Sequence, residues 1–268
     1  MHRAVNSAQR KVKTMIYCSK TDIGKKRDKN EDTAVACRLA ENALIIAVFD
    51  GMGGQAGGEI ASSAAAEGFL SEIKYQCESR IRDGRLYFAD PETEISMLLD
   101  SAAANANYQV WQRAQDDKSL SGMGTTLTGA LVFEDERKAY TVNIGDSRIY
   151  KISSDGISQL TKDHSYVQYL VDIGEITEKE AQSRTDKNII TRALGISIRA
   201  EVDIKEEELL LGDSLLFCSD GLYDMISDND ISAVLRSDGT LDARAESLIE
   251  LANEAGGEDN ITVVVAEM

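Results

Sequence analysis

Short apolar runs of strand character, separated by polar turns, occupy most of the chain. The run 43–49 is continuously apolar, whereas 14–19 and 33–38 alternate weakly between apolar and polar positions. Segments 125–133 and 138–143 predict a hairpin around a charged turn. The complete set of predicted strands is 14–19, 33–38, 43–49, 125–133, 138–143, 147–152, 157–160, 200–204, 214–218 and 261–266.

Three longer segments carry apolar residues at helical spacing, and these are 58–74, 92–116 and 241–255. Residues 163–195 are polar, locally helical and weakly patterned, which indicates an excursion from the core. Many strands with few intervening helices favour an α+β fold, in which antiparallel sheets carry long helices packed on top. Because no low-complexity linker interrupts residues 14–268, we expect them to form a single domain.

The composition is strongly acidic, with a formal net charge of −17 over 268 residues. This charge argues against nucleic acid as a partner. Residues 1–13 form a basic arm that runs against the trend, and its cations are Arg3, Arg10, Lys11 and Lys13. We expect this arm to be a solvated terminus.

The remaining composition limits the compartment and the chemistry. No apolar run approaches the roughly 18 residues of a membrane span, and the basic start lacks the apolar segment of a signal peptide. The cysteines show no Cys-x-x-Cys spacing, so we expect reduced thiols in a cytoplasmic protein; they are Cys18, Cys37, Cys77 and Cys218. Only His2 and His164 are available, which leaves little material for a His-based zinc site or triad.

Acidic residues stand repeatedly where an apolar strand meets a turn. They occur in five places: Glu31-Asp32, Asp50-Gly51, Asp146, Asp220-Gly221 and Glu258-Asp259. One such residue is an ordinary turn residue, but converging carboxylates repel unless they bind protons or cations. Oxygen ligands without His or Cys indicate Mg²⁺ or Mn²⁺, and two such ions about 3.5–4 Å apart suit phosphoryl hydrolysis. Asp50 would then attract a phosphate through the cations that it holds.

From about residue 16 to residue 266, the sequence resembles bacterial metal-dependent protein phosphatases of the type 2C class. The resemblance rests on the order of seven motifs: Thr21-Asp22-Ile23-Gly24, Arg27-Asp28-Lys29-Asn30-Glu31-Asp32, Val48-Phe49-Asp50-Gly51-Met52-Gly53-Gly54, Gly122-Met123-Gly124-Thr125-Thr126, Gly145-Asp146-Ser147-Arg148, Cys218-Ser219-Asp220-Gly221 and Gly257-Glu258-Asp259-Asn260. It implies a four-layer sandwich, with two central antiparallel β-sheets flanked by pairs of α-helices. It also implies hydrolysis of phosphoserine and phosphothreonine on proteins, with residues 163–195 forming a mobile flap.

The resemblance further implies roles for individual residues. Asp50 would bridge two Mn²⁺ or Mg²⁺ ions, while Asp220 and Asp259 would complete the first. Glu31 and the Gly51 carbonyl would serve the second, and Asp146 with Asp220 would serve a third, weakly bound divalent cation. Two residues would act on the substrate side: Asp32 would orient the attacking water, and Arg27 would hold the phosphate.

One position departs from the eukaryotic members, which carry a histidine two residues after the bridging aspartate. Here that position is Met52, as is usual in the bacterial branch, and methionine cannot protonate a leaving alkoxide. The general acid therefore stays open. We expect His164 to lie on the rim of the flap, where it would contact substrate at most.

Three alternatives compete with this interpretation. Gly51-x-Gly53-x-x-Ala56 satisfies a dinucleotide fingerprint, but no parallel strand follows the next helix and an acid precedes the first glycine. A cysteine phosphatase needs an arginine six residues after its cysteine, and Asp224 stands there after Cys218. A catalytically silent phosphoprotein-binding regulator would be expected to lack at least one acidic ligand. The expected partners are phosphorylated proteins and an opposing Ser/Thr kinase, and the expected state is a monomer.

Overall fold

The structure is a computed structural model that describes residues 14–53, 57–182, 184 and 186–268. Its strands are β1 (Ile16–Asp22), β2 (Asp32–Ala40), β3 (Ala43–Met52), β4 (Ile81–Arg82), β5 (Arg85–Leu86), β6 (Gly124–Thr125), β7 (Leu127–Phe133), β8 (Lys138–Ile144), β9 (Arg148–Ser153), β10 (Gly156–Gln159), β11 (Asp203–Glu208), β12 (Ser214–Cys218) and β13 (Ile261–Glu267). Its α-helices are α1 (Gly57–Glu78), α2 (Pro91–Asp116), α3 (Tyr166–Asp172), α4 (Glu178–Gln182), α5 (Asp220–Tyr223), α6 (Asp228–Leu235) and α7 (Leu241–Glu254). The predicted arm, residues 1–13, lies outside the described residues.

Two antiparallel sheets form the centre of the molecule. The first sheet has the strand order β1-β13-β12-β9-β10, and the second has the order β11-β8-β7-β3-β2 with β6 paired to β3. Helices α1 and α2 cover the outer face of the second sheet, while α5, α6 and α7 cover the first. The predicted α+β four-layer sandwich is confirmed.

Strand β3 shows why its sequence is apolar without alternation. Leu44, Ile46 and Val48 pack between the two sheets, whereas Ile45 and Phe49 pack under α1 and α2. Successive side chains of a strand point to opposite faces, so a strand buried on both faces needs apolar residues at every position. Asp50 therefore lies near the end of a strand that is packed on both of its faces.

Strand β11 is the clearest correction to the predicted elements. The expected strand 200–204 is shifted to Asp203–Glu208, an edge strand that pairs with β8 and carries the ion pair Lys138–Glu206. The apolar residues Ala200, Val202 and Ile204 still pack against the helical core, although only the last of them belongs to the strand. The spacing of apolar residues therefore predicted which residues pack against the core. It did not predict which residues form hydrogen bonds with β8.

Several short elements were not predicted, namely the β4–β5 hairpin and helices α5 and α6. Helix α6 is short, and a capping box between Ser227 and Asp230 supports its start. Residues 163–195 do contain two short helices, α3 and α4, in agreement with the local helical pattern. Within the described part of the chain, no helix combines the length and apolar character that a membrane span needs.

Candidate active site

Strand pairing places two of the predicted acids opposite each other. Asp32 opens β2 and pairs directly with Asp50 near the end of β3. The Asp50 backbone is fixed further by the Thr125-Thr126 segment: its N–H donates to Thr126 Oγ1 at 2.9 Å, and its carbonyl accepts from Thr126 N at 2.9 Å and from Thr125 Oγ1 at 2.8 Å. The position of the Asp50 carboxylate is thus set by the backbone on both neighbouring strands.

Ser219 connects the two sheets at this point. Its hydroxyl donates to Asp32 Oδ2 at 2.7 Å and accepts from the Thr262 N–H at 3.0 Å, while its own N–H donates to the Thr262 carbonyl at 3.1 Å. Asp220 follows directly as the first residue of α5. Ser219 was not predicted to take part, although a polar residue at the end of an apolar strand was a usable signal.

Asn260 holds the loop that leads to Glu31. Its side-chain oxygen accepts from the Glu31 N–H at 2.8 Å, and its Nδ2 donates to the carbonyls of Ile23 and Lys29 at 3.0 and 2.8 Å. The neighbouring Asp259 is therefore held beside this loop. Asn260 was also missed as a functional residue, although it belongs to the motif that contains Asp259.

Glu31 points its carboxylate to the start of α1. The carboxylate accepts hydrogen bonds from the N–H groups of Gly58 and Glu59, and burial is the largest cause of its raised pKa. A Cβ on Gly58 would lie 2.5 Å from the Glu31 carboxyl carbon, so a larger residue there would displace the Glu31 carboxylate. A Cβ on Gly51 would likewise lie 2.2 Å from the Gly58 carbonyl oxygen. The glycines here permit the close approach of β3, α1 and Glu31.

The acids of the cluster influence one another electrostatically. Burial, followed by the charges of neighbouring carboxylates, raises the pKa of Asp50 and of Asp220 well above the usual range. Burial also raises the pKa of Asp32 to about 6. Asp259 and Asp146 are among the charges that act on Asp50 and Asp220. The structure therefore brings together five acids from separate parts of the chain: Asp32, Asp50, Asp146, Asp220 and Asp259.

Asp146 lies in the turn between β8 and β9 and is 6% exposed. Burial, and next the charge of Asp163, raises its pKa to about 7. Gly145 precedes it with φ +106°, and a Cβ there would lie 2.5 Å from the Thr126 side chain, so this turn needs glycine. The Tyr223 hydroxyl donates to the Asp146 carbonyl at 3.0 Å.

His164 lies beneath this turn and not on a rim, which corrects the expectation for that residue. The side chain is buried, and its ring Nδ1 accepts from the Gly145 N–H at 3.2 Å. The backbone N–H of His164 donates to the Gly145 carbonyl at 2.8 Å. Nε2 is 3.3 Å from a carboxylate oxygen of Asp203. Because Nδ1 accepts, the neutral ring carries its proton on Nε2 and donates to Asp203. His164 therefore supports the position of Asp146 from below.

Arg27 makes an ion pair that the sequence did not predict. Its Nη2 donates to Asp259 Oδ2 at 2.6 Å, with 49% of the arginine side chain exposed. The partner of this arginine, Asp259, is a predicted metal ligand. Arg27 thus lies at the edge of the acidic cluster, with part of its guanidinium open to solvent.

The oxygen-rich cluster fits hard divalent cations in its chemistry. Asp220 Oδ1 is buried without a hydrogen-bond partner, and several carboxylates there have raised pKa values, so a bound cation would relieve both costs. Among the described residues, no three His, Cys, Asp or Glu side chains are arranged as a preformed metal cage. Two of the predicted ligands are held by other groups, since Asp259 binds Arg27 and Glu31 binds the start of α1.

A groove of about 880 Å³ runs beside Asp146 between residues 163–188 and helices α5 and α6. An ion pair between Lys187 Nζ and Asp224 Oδ1, at 2.8 Å, joins its two walls. Arg148 and Asp163 also line it, and they are bonded to each other by a bidentate fork with distances of 2.6–3.1 Å. The groove therefore opens on the Asp146 side of the acidic cluster.

A four-layer sandwich with a carboxylate cluster where its two sheets meet is suited in its chemistry to a metal-dependent hydrolase. The profile of the family described as protein phosphatase 2C matches residues 24–258. The chain belongs to this family and is therefore a metal-dependent protein phosphatase.

Two relatives with assigned names cover most of the chain. The serine/threonine phosphatase stp of Listeria monocytogenes is 36% identical over 248 residues, which are 92% of this chain and 94% of that protein. The serine/threonine protein phosphatase PstP of Mycobacterium tuberculosis is 37% identical over 94% of this chain and 45% of its own length. The likeness to active phosphatases favours the enzyme over the silent regulator and over the dinucleotide-binding alternative.

Solved structures show the same fold. The Mycobacterium tuberculosis phosphatase PstP/Ppp superposes with a TM-score of 0.82 at 36% identity, covering 95% of this chain and 98% of that one. The catalytic domain of PstP in complex with two manganese ions gives a TM-score of 0.78 at 35% identity, covering 94% and 97%. These neighbours support a metal-dependent centre in this family.

Proposed function

We propose that the chain hydrolyses phosphoserine and phosphothreonine monoesters on proteins, using two Mn²⁺ or Mg²⁺ ions held by its acidic cluster. The observation that carries this proposal is the convergence of Asp50, Asp220 and Asp259 at the junction of the two sheets. Asp220 Oδ1, buried and unpartnered, supplies a ligand atom that needs a cation. The names of the relatives, which are serine/threonine phosphatases, support the substrate class.

The residues would divide the two cations between them. Asp50 would contact both ions, Asp220 and Asp259 the first, and Glu31 with the Gly51 carbonyl the second. When bound, the ions would neutralise the carboxylates and supply the Lewis acidity for phosphoryl transfer. For Asp259 to bind a cation with both oxygens, Arg27 would have to release Oδ2, which frees its guanidinium fork for phosphate.

Asp32 would orient the attacking water. Its carboxylate accepts hydrogen bonds from the Ser219 hydroxyl, at Oδ2, and from the Thr262 side chain, and a remaining lone pair would accept a hydrogen bond from that water. Because Ser219 also bonds to Thr262, the Asp32 carboxylate keeps a fixed orientation relative to the first sheet. Burial, which raises the pKa of Asp32 to about 6, makes it a stronger proton acceptor than an exposed aspartate.

Asp146 would hold a third, weakly bound divalent cation together with Asp220. This site is proposed because Asp146 is buried next to Asp220 and its charge is the largest electrostatic influence on that residue. Met52 carries no transferable proton, so protonation of the leaving alkoxide falls to the polar groups around Asp146. Serine and threonine alkoxides need this proton, since their pKa lies far above 7.

Hydrolysis of a phosphothreonine peptide tests the proposal most directly. We expect no turnover in excess EDTA and full recovery on addition of Mn²⁺ or Mg²⁺, because the cluster has no other source of positive charge at its centre. The variant Cys218→Ser is the matched control, because Cys218 is buried in β12 outside the acidic cluster and should keep its activity. Full turnover in excess EDTA would contradict the proposal.

The organisation and surroundings of the enzyme are also proposed. Residues 14–268 would form one catalytic domain, with 163–195 as a mobile flap and 1–13 as a basic arm. The enzyme would act as a cytoplasmic monomer opposite a Ser/Thr kinase, without nucleic acid or membrane as a partner. The four free cysteines support the cytoplasm as the compartment. The net charge of −17 supports the exclusion of nucleic acid as a partner. Sedimentation and hydrogen exchange would test the monomer and the flap.

A further inference from the structure

Helix α5 is a single turn whose two ends face different parts of the site. Its first residue, Asp220, belongs to the acidic cluster, and its last, Tyr223, reaches across to the β8–β9 turn. There the Tyr223 hydroxyl donates to the Asp146 carbonyl oxygen at 3.0 Å. One short helix thus carries a predicted cation ligand and a direct bond to the residue that would share the same cation.

The pairing of β12 with β9 brings the two carboxylates to the same edge of the first sheet. Cys218 lies opposite Arg148 in this antiparallel ladder, Asp220 follows Cys218 by two residues, and Asp146 precedes Arg148 by two. Asp146 is the largest electrostatic influence on Asp220 after burial. Because both acids lie beyond the last pair of the ladder, contacts outside the ladder can adjust their final separation.

Tyr223 is itself held on its opposite side by Arg148. The guanidinium carbon lies 3.6 Å from the centre of the Tyr223 ring, and the same guanidinium grips Asp163 by a bidentate fork. Arg148 Nη1 also donates to the Tyr150 hydroxyl at 2.8 Å. A ring held by a cation and a hydroxyl bonded to a carbonyl leave Tyr223 little freedom, so it can transmit position between α5 and the turn.

We propose that Tyr223 is a positioning residue that fixes the separation of the Asp146 and Asp220 carboxylates and thereby sets the affinity of the third divalent cation. This inference rests on the proposed role of Asp146. It adds a residue that would act through Asp146 and Asp220 and not on the reacting atoms, and it predicts that loss of one phenol hydroxyl weakens one class of cation without disturbing the others.

Two tyrosine variants separate this role from a general structural one. Tyr223→Phe removes the hydroxyl that reaches Asp146 and keeps the ring under Arg148. Tyr150→Phe removes a buried hydroxyl from the same arginine but touches neither acid. Mn²⁺ binding to each purified variant and to the wild type is measured by calorimetry and by electron paramagnetic resonance, which do not depend on turnover.

We expect two tightly bound Mn²⁺ ions in all three proteins and a weaker third. In Tyr223→Phe the dissociation constant of the third ion should rise about 5- to 10-fold, the scale of one lost hydrogen bond that orients a ligand. In Tyr150→Phe it should change less than about 2-fold. The Mn²⁺ concentration needed for half-maximal hydrolysis of a phosphothreonine peptide should rise in parallel in Tyr223→Phe, and excess Mn²⁺ should restore the rate.

Four results would overturn the inference. An unchanged third site in Tyr223→Phe, or an equal change in both variants, would remove Tyr223 from cation positioning. Weakening of the tight pair in Tyr223→Phe would assign the residue to general stability instead. Absence of a third ion from the wild type would overturn the role of Asp146 together with this inference, while the EDTA-sensitive turnover carried by the tight pair would still stand.

Discussion

Asp50 and Asp146 belong to one acidic cluster, yet the chain holds them in two different ways. Asp50 lies on a strand between two paired neighbours, and its backbone makes hydrogen bonds to Thr125 and Thr126 as well as the ladder with β2. Asp146 lies in a turn, where Tyr223 and His164 hold the backbone through their side chains. The Asp50 backbone is held by paired strands together with two threonine hydroxyls, whereas more of the contacts of the Asp146 turn come from side chains far along the chain.

This difference separates the part of the site that tolerates substitution from the part that does not. Backbone ladders do not depend on which side chains surround them, so the position of Asp50 survives changes at most neighbouring positions. The Asp146 turn depends on single hydroxyl, imidazole and guanidinium groups, and each of them can be lost by one substitution. The predictions below test this contrast, from the largest expected effect to the smallest.

Asp220 interacts with the acids of both regions, because the charges of Asp146 and of Asp32 each raise its pKa. Asp220→Asn keeps the shape of the side chain and removes its charge. We expect kcat on a phosphothreonine peptide to fall by at least about 10²-fold at saturating Mn²⁺, since a ligand of the central cations loses its charge. If Asp220→Asn stayed active while folded Cys218→Ser lost activity, a thiol mechanism would replace the metal-dependent one.

Arg27 lies at the edge of the acidic cluster, where it forms an ion pair with Asp259. Arg27→Ala should lower kcat/KM by roughly 1.5–3 kcal/mol, the scale of a charge-assisted hydrogen bond to phosphate, mainly through KM. Arg27→Lys should recover only part of the loss, because an ammonium group cannot copy the bidentate fork. An unchanged kcat/KM in the alanine variant would restrict Arg27 to its ion pair with Asp259.

The pH dependence of the metal-free protein compares Asp32 with Asp146. Burial raises the pKa of Asp32 to about 6, and burial with Asp163 raises that of Asp146 to about 7. The folded state then binds these protons more tightly than the unfolded chain, so the free energy of unfolding falls as pH rises from about 4 to 7. At roughly 1.4 kcal/mol per pH unit, the shift of Asp32 alone should cost about 3 kcal/mol at pH 7.

Chemical denaturation of EDTA-treated protein at pH 5 and pH 7 measures this loss, and added Mn²⁺ should remove it at pH 7. Asp32→Asn and Asp146→Asn should each make the decline between pH 5 and pH 7 smaller, because each removes one carboxyl group with a raised pKa. Metal-free stability that rises between pH 5 and pH 7 would contradict the assignment of a net repulsive cluster.

Asp146→Ala should show the smallest and most selective effect on catalysis. We expect about a 10-fold loss on a phosphothreonine peptide and a smaller loss on p-nitrophenyl phosphate, since p-nitrophenolate leaves without needing a proton. Parallel measurement of kcat on both substrates is the test. Equal losses on both, or none on either, would exclude Asp146 from the chemistry and leave a turn residue worth about 1 kcal/mol of stability.

The fold could be read from the sequence wherever burial alone determines structure. The continuously apolar 43–49 run and the long patterned helices 58–74 and 92–116 all lie where they were predicted. Strand β11 was misplaced because an edge strand such as Asp203–Glu208 is polar and is defined by its partner β8. Helices α5 and α6 were missed because four and eight residues are too few to show a helical period.

The same distinction applies to the site: residues at strand ends could be predicted, whereas contacts between distant parts of the chain could not. The acids were recognisable because each stands at the end of a strand, and the structure brings Asp32, Asp50 and Asp220 together as expected. Their roles as ligands stay predictions. The contacts of Tyr223 and His164 had no sequence signal, because each depends on a partner far along the chain that only the folded structure brings near.

The pairing of β1 with β13 has a consequence for synthesis on the ribosome. Thr21 and Thr262 share a hydrogen bond across this pair although they are 241 residues apart. At about 5–20 residues per second, β1 must wait roughly 10–50 s after its own translation before β13, its neighbour among the described strands, exists. Asp259 is made equally late and lies against the Arg27 loop. The nascent chain therefore carries no finished active site, and dephosphorylation can begin only once the last strand has been made and has joined the first sheet.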